Sequence, residues 1–283
     1  MRRDVSGKRI LITGAARGIG AATATELARR GARLSLVGIE PGLLKENAET
    51  LGDAHMWVEA DVTDQAALNA AVAATADRFG GIDVVIANAG VANYGTIRTA
   101  DPDDFARTIG INLIGVYRTI SAAVPHLVDS RGYALLVASI ASFVPIPGAA
   151  SYGASKAGVD SLAAALRLEL KQYGVTVGSM HPSWIDTDLV RRSEADLPTF
   201  KKVRAQMPWP ANGTTSVEEC AKAMADAVEK RAPRTFVPKQ AGLMAAIRAL
   251  SFSPGLARLL AKRAAADLAQ MDRENQALGA TWR

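Results

Sequence analysis

Short apolar runs alternate with longer stretches in which apolar positions recur every three or four residues. The run Arg9-Ile-Leu-Ile-Thr13, bounded by charge and glycine, predicts a buried strand. A helical pattern follows from Ala21 to Arg30, closed by Gly31 as a C-cap. Further strands are expected at Arg33–Val37, His55–Ala60, Ile82–Ala87, Gly132–Ser139 and Val175–Met180. Between them lie helical stretches to about Leu51, from Thr63 or Asp64 to about Phe79, from Asp103 to about Val128, and from Tyr152 to about Tyr173. Strand and helix alternating at this pace predict an α/β fold, a Rossmann-like doubly wound parallel sheet with helices on both faces.

The chain has 283 residues, 49% of them hydrophobic and 22% charged, which suits one large α/β unit with a substantial core. The single cysteine, Cys220, excludes an internal disulfide. With Val217, Ala221 and Met224 it forms one helical face, so core packing is expected of it. No run of about 18 apolar residues predicts a membrane span. The first residues have neither a long apolar stretch nor a cleavage pattern, so no signal peptide is expected and cytoplasmic residence is the default. A net charge of +5, with its basic residues scattered, does not suggest nucleic-acid binding.

Two motifs carry chemistry. Tyr152 and Lys156 are four residues apart, hence on one helix face, where a lysine ammonium can favour the tyrosine phenolate. Ser139 ends an apolar run and so points into the crevice where open α/β sheets hold ligands. The segment Gly14-Ala-Ala-Arg-Gly-Ile-Gly20 sits between a strand and a helix, the setting in which a glycine turn accepts a pyrophosphate at a helix N-terminus.

Together with Asp61-Val62, Asn88-Ala-Gly90 and Asn112, these pieces resemble the short-chain dehydrogenase/reductase family over roughly Lys8 to Pro238. The resemblance implies a hydride transfer between a nicotinamide cofactor and an alcohol or ketone. Tyr152 would be the acid/base, Ser139 would hydrogen-bond the substrate oxygen, and Lys156 would tune Tyr152 and bind the nicotinamide ribose. Asn112 would hold a water on a proton path. Gly14, Arg17, Gly18, Ile19 and Gly20 would cradle the dinucleotide, Asp61 and Val62 would flank the adenine, and Asn88, Ala89 and Gly90 would lie along it. Pro182, Ile185 and Thr187 fit the family's carboxamide-holding loop. Ser183 replaces a family glycine there, which implies another turn or strain, and Trp184 adds bulk. His181 is expected to be structural.

Gly38 and Ile39 after the second strand offer no acid to a ribose 2′-OH. Arg17 favours NADP over NAD, while Glu40 argues the other way; NADP is the expected cofactor, with NAD as the alternative. Residues 188–216 would form a lid with apolar residues, including Leu197, Phe200, Met207, Pro208, Trp209 and Pro210, and a basic rim of Arg191, Arg192, Lys201, Lys202 and Arg204. A hydrophobic secondary alcohol or ketone is the expected substrate, with reduction of 3-oxoacyl thioesters as the alternative and a cofactor-binding scaffold or redox sensor as the non-enzymatic reading. The division expected is a catalytic domain over 1–238 and an amphipathic helical extension over 239–283. The extension would pack on protein or, second, lie on a membrane surface. Its apolar positions include Leu243, Ile247, Leu250, Leu256, Leu260 and Met271. The family often forms homodimers or homotetramers, and the same is expected here.

Overall fold

The computed structural model describes residues 3–207, 212–246, 248 and 253–278, so Pro208, Trp209, Pro210, Ile247 and Leu250 lie outside the described residues. The first half follows the alternation closely: β1 (Arg9–Thr13), α1 (Gly18–Arg29), β2 (Arg33–Gly38), α2 (Pro41–Leu51), β3 (Met56–Glu59), α3 (Gln65–Phe79) and β4 (Val84–Ala87). Then come α4 (Pro102–Ile109), a π-helical turn at Gly110–Ile114, α5 (Gly115–Asp129), β5 (Tyr133–Val137) and α6 (Ala150–Glu169). The second half adds β6 (Thr176–Pro182), β7 (Trp184–Ile185), α7 (Asp188–Asp196), α8 (Pro198–Ala205) and β8 (Thr214–Thr215). It closes with α9 (Val217–Lys230), β9 (Arg234–Val237), α10 (Gly242–Ala246) and α11 (Pro254–Leu278).

Seven strands form one sheet in the order β3-β2-β1-β4-β5-β6-β9, and every pairing is parallel. Strand order reverses between β1 and β4, the point where doubly wound sheets open a ligand crevice at their carboxyl ends. Side chains alternate across the sheet with period two. Ile10, Ile12, Leu34, Leu36, Leu135 and Val137 face one side, where they meet Leu27 of α1 and Cys220 and Met224 of α9. Leu11, Val37, Val85, Leu136 and Val177 face the other, against Val116, Ile120, Leu127 and Val159 of α5 and α6. Cys220 is thus a core residue, and burial pushes its thiol up to about 12.

The helices begin where the sequence supplies acceptors. Asp64 caps α3 by accepting from Ala66 N at 2.8 Å and Ala67 N at 3.1 Å. The long helix expected over Asp103–Val128 is real but broken by the π turn, which holds Asn112. Such turns insert one residue into the ladder, and no local propensity announces them. Asp64→Ala is expected to cost about 1 kcal/mol of stability, read as a lowered denaturant midpoint at unchanged slope; an unchanged midpoint would remove the cap from the account.

Candidate active site

The carboxyl ends of β1, β4, β5 and β6 bring the candidate residues together. At the switch point, Thr13 Oγ1 accepts from Asn88 N at 3.1 Å and Ala89 N at 3.2 Å. The Asn88 amide returns the link by donating to Thr13 O at 3.1 Å and Gly14 O at 3.2 Å. Asn88 and Ala89 therefore lock β4 to the glycine turn. Gly20 is required by the same packing, because a Cβ there would collide with the Gly14 carbonyl and the Asn88 amide. Asn47, which the motif reading passed over, donates to Ala15 O at 3.3 Å and Ala16 O at 2.9 Å and steadies the turn from α2.

Arg17 is the N-cap of α1 and makes no side-chain cap, and the first turn carries no acid. The amide end of α1 is thereby left to an anion. Arg17 itself is bound to Glu40, the N-cap of α2: its Nε donates to Oε2 at 2.9 Å and its Nη2 to Oε1. The two residues with opposed implications for the cofactor are thus each other's partners. Ile19 packs on the core below the turn. Asp61 accepts from Thr63 N at 2.8 Å, and buried Val62 leans on Gly115.

Ser139, at the end of β5, accepts from Ala141 N at 3.2 Å and donates to Pro182 O at 3.3 Å. Tyr152 and Lys156 lie on α6, with the Lys156 ammonium 5.8 Å from the Tyr152 ring centre. Burial raises the Tyr152 pKa, opposed by a hydrogen bond with Ser139. The lysine is therefore not what sets the phenol here: apolar surroundings do, and they act on Lys156 as well. Lys156 is 4% exposed, donates to Val137 O at 2.8 Å, and is pulled down to about 8 by burial.

Asn112 is fully buried in the π turn. Its Oδ1 accepts from Val91 N at 2.8 Å, and its Nδ2 donates to Val91 O at 2.8 Å and Ser155 Oγ at 3.1 Å. Ser155 in turn donates to Tyr152 O at 2.7 Å. A Cβ placed on Gly90 would lie 3.2 Å from Asn112 Oδ1 and 3.4 Å from Lys156 Nζ, so Gly90 separates two neighbouring polar groups. Ser155 was missed by motif reading, since a serine one residue before Lys156 carries no distinctive signal.

His181 stands behind the site. Its Nδ1 is 3.3 Å from Ser139 O, its Nε2 is 2.9 Å from Ser179 Oγ and 3.3 Å from Asp160 Oδ1, and its ring stacks on Phe236. It braces the backbone of Ser139 and does not enter the crevice. Burial pushes the Asp160 carboxyl up, but hydrogen bonds from His181 and Arg234 outweigh this and hold it below the usual range. Ser183 shows no left-handed backbone, since the non-glycine residues of positive φ among those described are Arg131 and Arg231. Of the two alternatives implied by a serine at a family glycine, positive-φ strain is absent: Ser183 joins β6 to β7 and its N donates to Val237 O at 2.7 Å. The Ser183 hydroxyl is buried without a hydrogen-bond partner.

Pro182 ends β6, Ile185 packs into the core, and Thr187 caps α7, with its methyl 3.6 Å from a Cβ placed on Gly18. Beyond Tyr152 lies a separate apolar cluster of Tyr94, Trp184, Leu197, Phe200 and Met271, joined by Ile146, Val190 and Met207. Three lid cations of the expected basic rim are engaged: Arg191 with Asp186 and Asp188, Lys202 with Asp267, and Arg204 with Glu194.

A glycine turn over an uncapped helix end, a buried lysine and an orphaned hydroxyl at the far end of the same edge fit a dinucleotide. The family model for short chain dehydrogenases matches residues 8–198. The chain belongs to that family and is an NAD(P)-dependent oxidoreductase by class. It is 36% identical over 214 residues to the trans-4-hydroxycyclohexanecarboxylate dehydrogenase of Sinomonas cyclohexanicum, covering 71% of this chain and 83% of that protein. An NAD-dependent oxidoreductase of Mycobacterium tuberculosis is 34% identical over 217 residues, covering 70% and 78%. The crystal structure of a Brucella melitensis 3-ketoacyl-(acyl-carrier-protein) reductase complexed with NADH superposes with a TM-score of 0.72 at 27% identity, covering 82% of this chain and 97% of that one.

The buried lysine has a measurable signature. Between pH 8 and 10.5 the unfolded chain keeps a proton on Lys156 that the folded chain has released. Stability contributed at this position therefore rises with pH across that window. Denaturant midpoints of the wild type measured against Lys156→Met are expected to improve from pH 8 to 10.5. A difference that stays flat would mean that the ammonium is not desolvated.

Proposed function

We propose that this protein interconverts a neutral, apolar secondary alcohol and its ketone with NAD(H). The observation that carries the reading is the convergence of Ser139, Tyr152 and Lys156 at one strand end, facing an apolar cluster instead of free charge. When bound, the dinucleotide supplies or accepts the hydride. The chain's own residues do the rest. Ser139 Oγ holds the substrate oxygen and Tyr152 transfers its proton, donating in reduction and accepting in oxidation. A phenol kept neutral by burial is suited to donation. Lys156 binds the nicotinamide ribose and, with Asn112 across Gly90, leads the proton outward. Gly14, Gly18 and Gly20 with the end of α1 take the pyrophosphate. Asp61 and Val62 flank the adenine. Pro182, Ile185 and Thr187 hold the nicotinamide end, where the free Ser183 hydroxyl adds a polar group.

NAD is preferred in this reading because Glu40 already occupies Arg17 at the edge where the adenosine ribose lies. A 2′-phosphate brought to Arg17 would face that carboxylate. The NAD-dependent relative and the NADH-bound neighbour support the same choice. Reduction of acyl thioesters, named for that neighbour, is the second reading. Pairing of three of the five rim cations weakens it, since a carrier-borne substrate draws on positive charge at the rim. Exposed Ile114, Tyr117 and Leu168 on the outer faces of the π turn, α5 and α6 support a homo-oligomer. Among the described residues no helix is long and apolar enough to cross a membrane, and cytoplasmic residence is part of the proposal.

Tyr152→Phe is expected to lower turnover by about 10²–10⁴-fold while leaving NADH binding nearly unchanged. Full activity in that variant would refute the assignment. Glu40→Gln is expected to move the ratio of NADPH to NADH affinity upward by about two- to fivefold in fluorescence titrations, the size of an exposed charge interaction. An unmoved ratio would detach Glu40 from the cofactor choice.

A further inference from the structure

The family match ends at residue 198, and the C-terminal helix α11 lies outside it. It is nevertheless tied to the catalytic edge on both sides. On one side Glu274 accepts from Thr199 Oγ1 at 2.6 Å and Thr199 N at 3.1 Å, and Asp267 pairs with Lys202 at 2.7 Å. These bonds fasten the helix to α8. On the other side Asp272 accepts from the Thr96 and Thr99 hydroxyls, and Asn275 donates to Thr99 O at 3.2 Å. These fasten it to the loop after β4.

Between the two lines of polar contacts stands Met271, with no exposed surface. It belongs to the apolar cluster on which Tyr152 packs. Two glycines allow the approach. Gly148, at φ +79°, leaves no room for a Cβ beneath the Met271 sulfur, and a Cβ on Gly95 would lie 2.7 Å from the Asn275 amide. Gly95 N donates to Gly148 O at 2.7 Å, so the two form one backbone floor. Met271 and Asn275 are one helical turn apart and meet that floor at matching positions.

We propose that α11 is the roof of the substrate pocket and that Met271 sets the length of the apolar group the pocket accepts beyond Tyr152. The inference rests on the alcohol/ketone reading above. Lid, loop and roof all contribute apolar walls here, and the described acids of the roof, Asp267, Asp272 and Glu274, are spent on holding it down. The occupant is therefore a neutral hydrocarbon substituent of the reacting carbon. A methionine is long and adaptable, so shortening it opens space along one direction.

The test uses straight-chain primary amides, from butanamide to dodecanamide, as carbonyl analogues that cannot be reduced. Each is titrated into the full-length protein with bound NADH and read by nicotinamide fluorescence, alongside turnover of the matching 2-alkanones. In the wild type, affinity is expected to rise by about fourfold per methylene and then stop at a defined length. Met271→Ala is expected to move that limit to longer chains and Met271→Phe to shorter ones, with NADH affinity unchanged within about twofold. Should the alanine variant fail to fold, Met271→Val carries the same test. The same length limit in the folded variants would overturn the proposal. If the wild type binds NADH but neither binds the amides nor reduces any ketone, the alcohol/ketone reading itself fails, and this inference falls with it.

Discussion

An ammonium group held inside an apolar interior is the constraint around which this molecule is arranged. Lys156 is surrounded by the sheet edge and α6, and its described hydrogen bond goes to a main-chain carbonyl of β5. A charge so placed is costly unless its surroundings are rigid and polar where it needs them. The π turn meets that need indirectly. It places Asn112 where its amide can grip the peptide of Val91 and the hydroxyl of Ser155, fixing both the loop after β4 and the start of α6. His181 braces Ser139 from behind. The acid/base set is thus held by polar contacts from four different elements, each placed by the parallel sheet.

Most of the sheet was legible in the sequence because its signals are local. Apolar runs ended by glycine or a capping acid give β1, β2, β4 and β5 with small errors at the ends, and the fourfold spacing puts Tyr152 and Lys156 together without any tertiary knowledge. The glycine turn is read the same way. What stayed hidden depends on contacts between distant residues. Arg17 and Glu40 each pointed to a different cofactor, and neither could be seen to bind the other across 23 residues. The π turn is a matter of one extra residue in a helix whose pattern reads as continuous. Ser183 suggested another turn or strain, and the structure avoids positive φ there by tying the residue to β9. The lid cations read as one basic rim, but the acids that pair with Arg191, Lys202 and Arg204 lie on α7 and α11 and in the turn before α7.

The C-terminal helix shows the same limit most clearly. Its amphipathic pattern fits a membrane surface, a second subunit or the chain's own body equally well. The structure ties the described part to α8 and to the loop after β4, with its acids paired and Met271 buried. Under the proposal above, residues that look like a peripheral extension become part of the wall that faces the reacting group; the Thr96–Asp272 contact joins segments 176 residues apart in sequence.

The most direct measurement is of the transferred atom. The purified full-length protein is incubated with NADH carrying deuterium at the nicotinamide C4 and a panel of neutral 2-alkanones and cyclohexanones, and the alcohols are analysed by mass spectrometry. The account predicts one deuterium on the carbinol carbon of at least one product, and none when Tyr152 is phenylalanine. A protein that binds NADH but delivers deuterium to no ketone in the panel would contradict it.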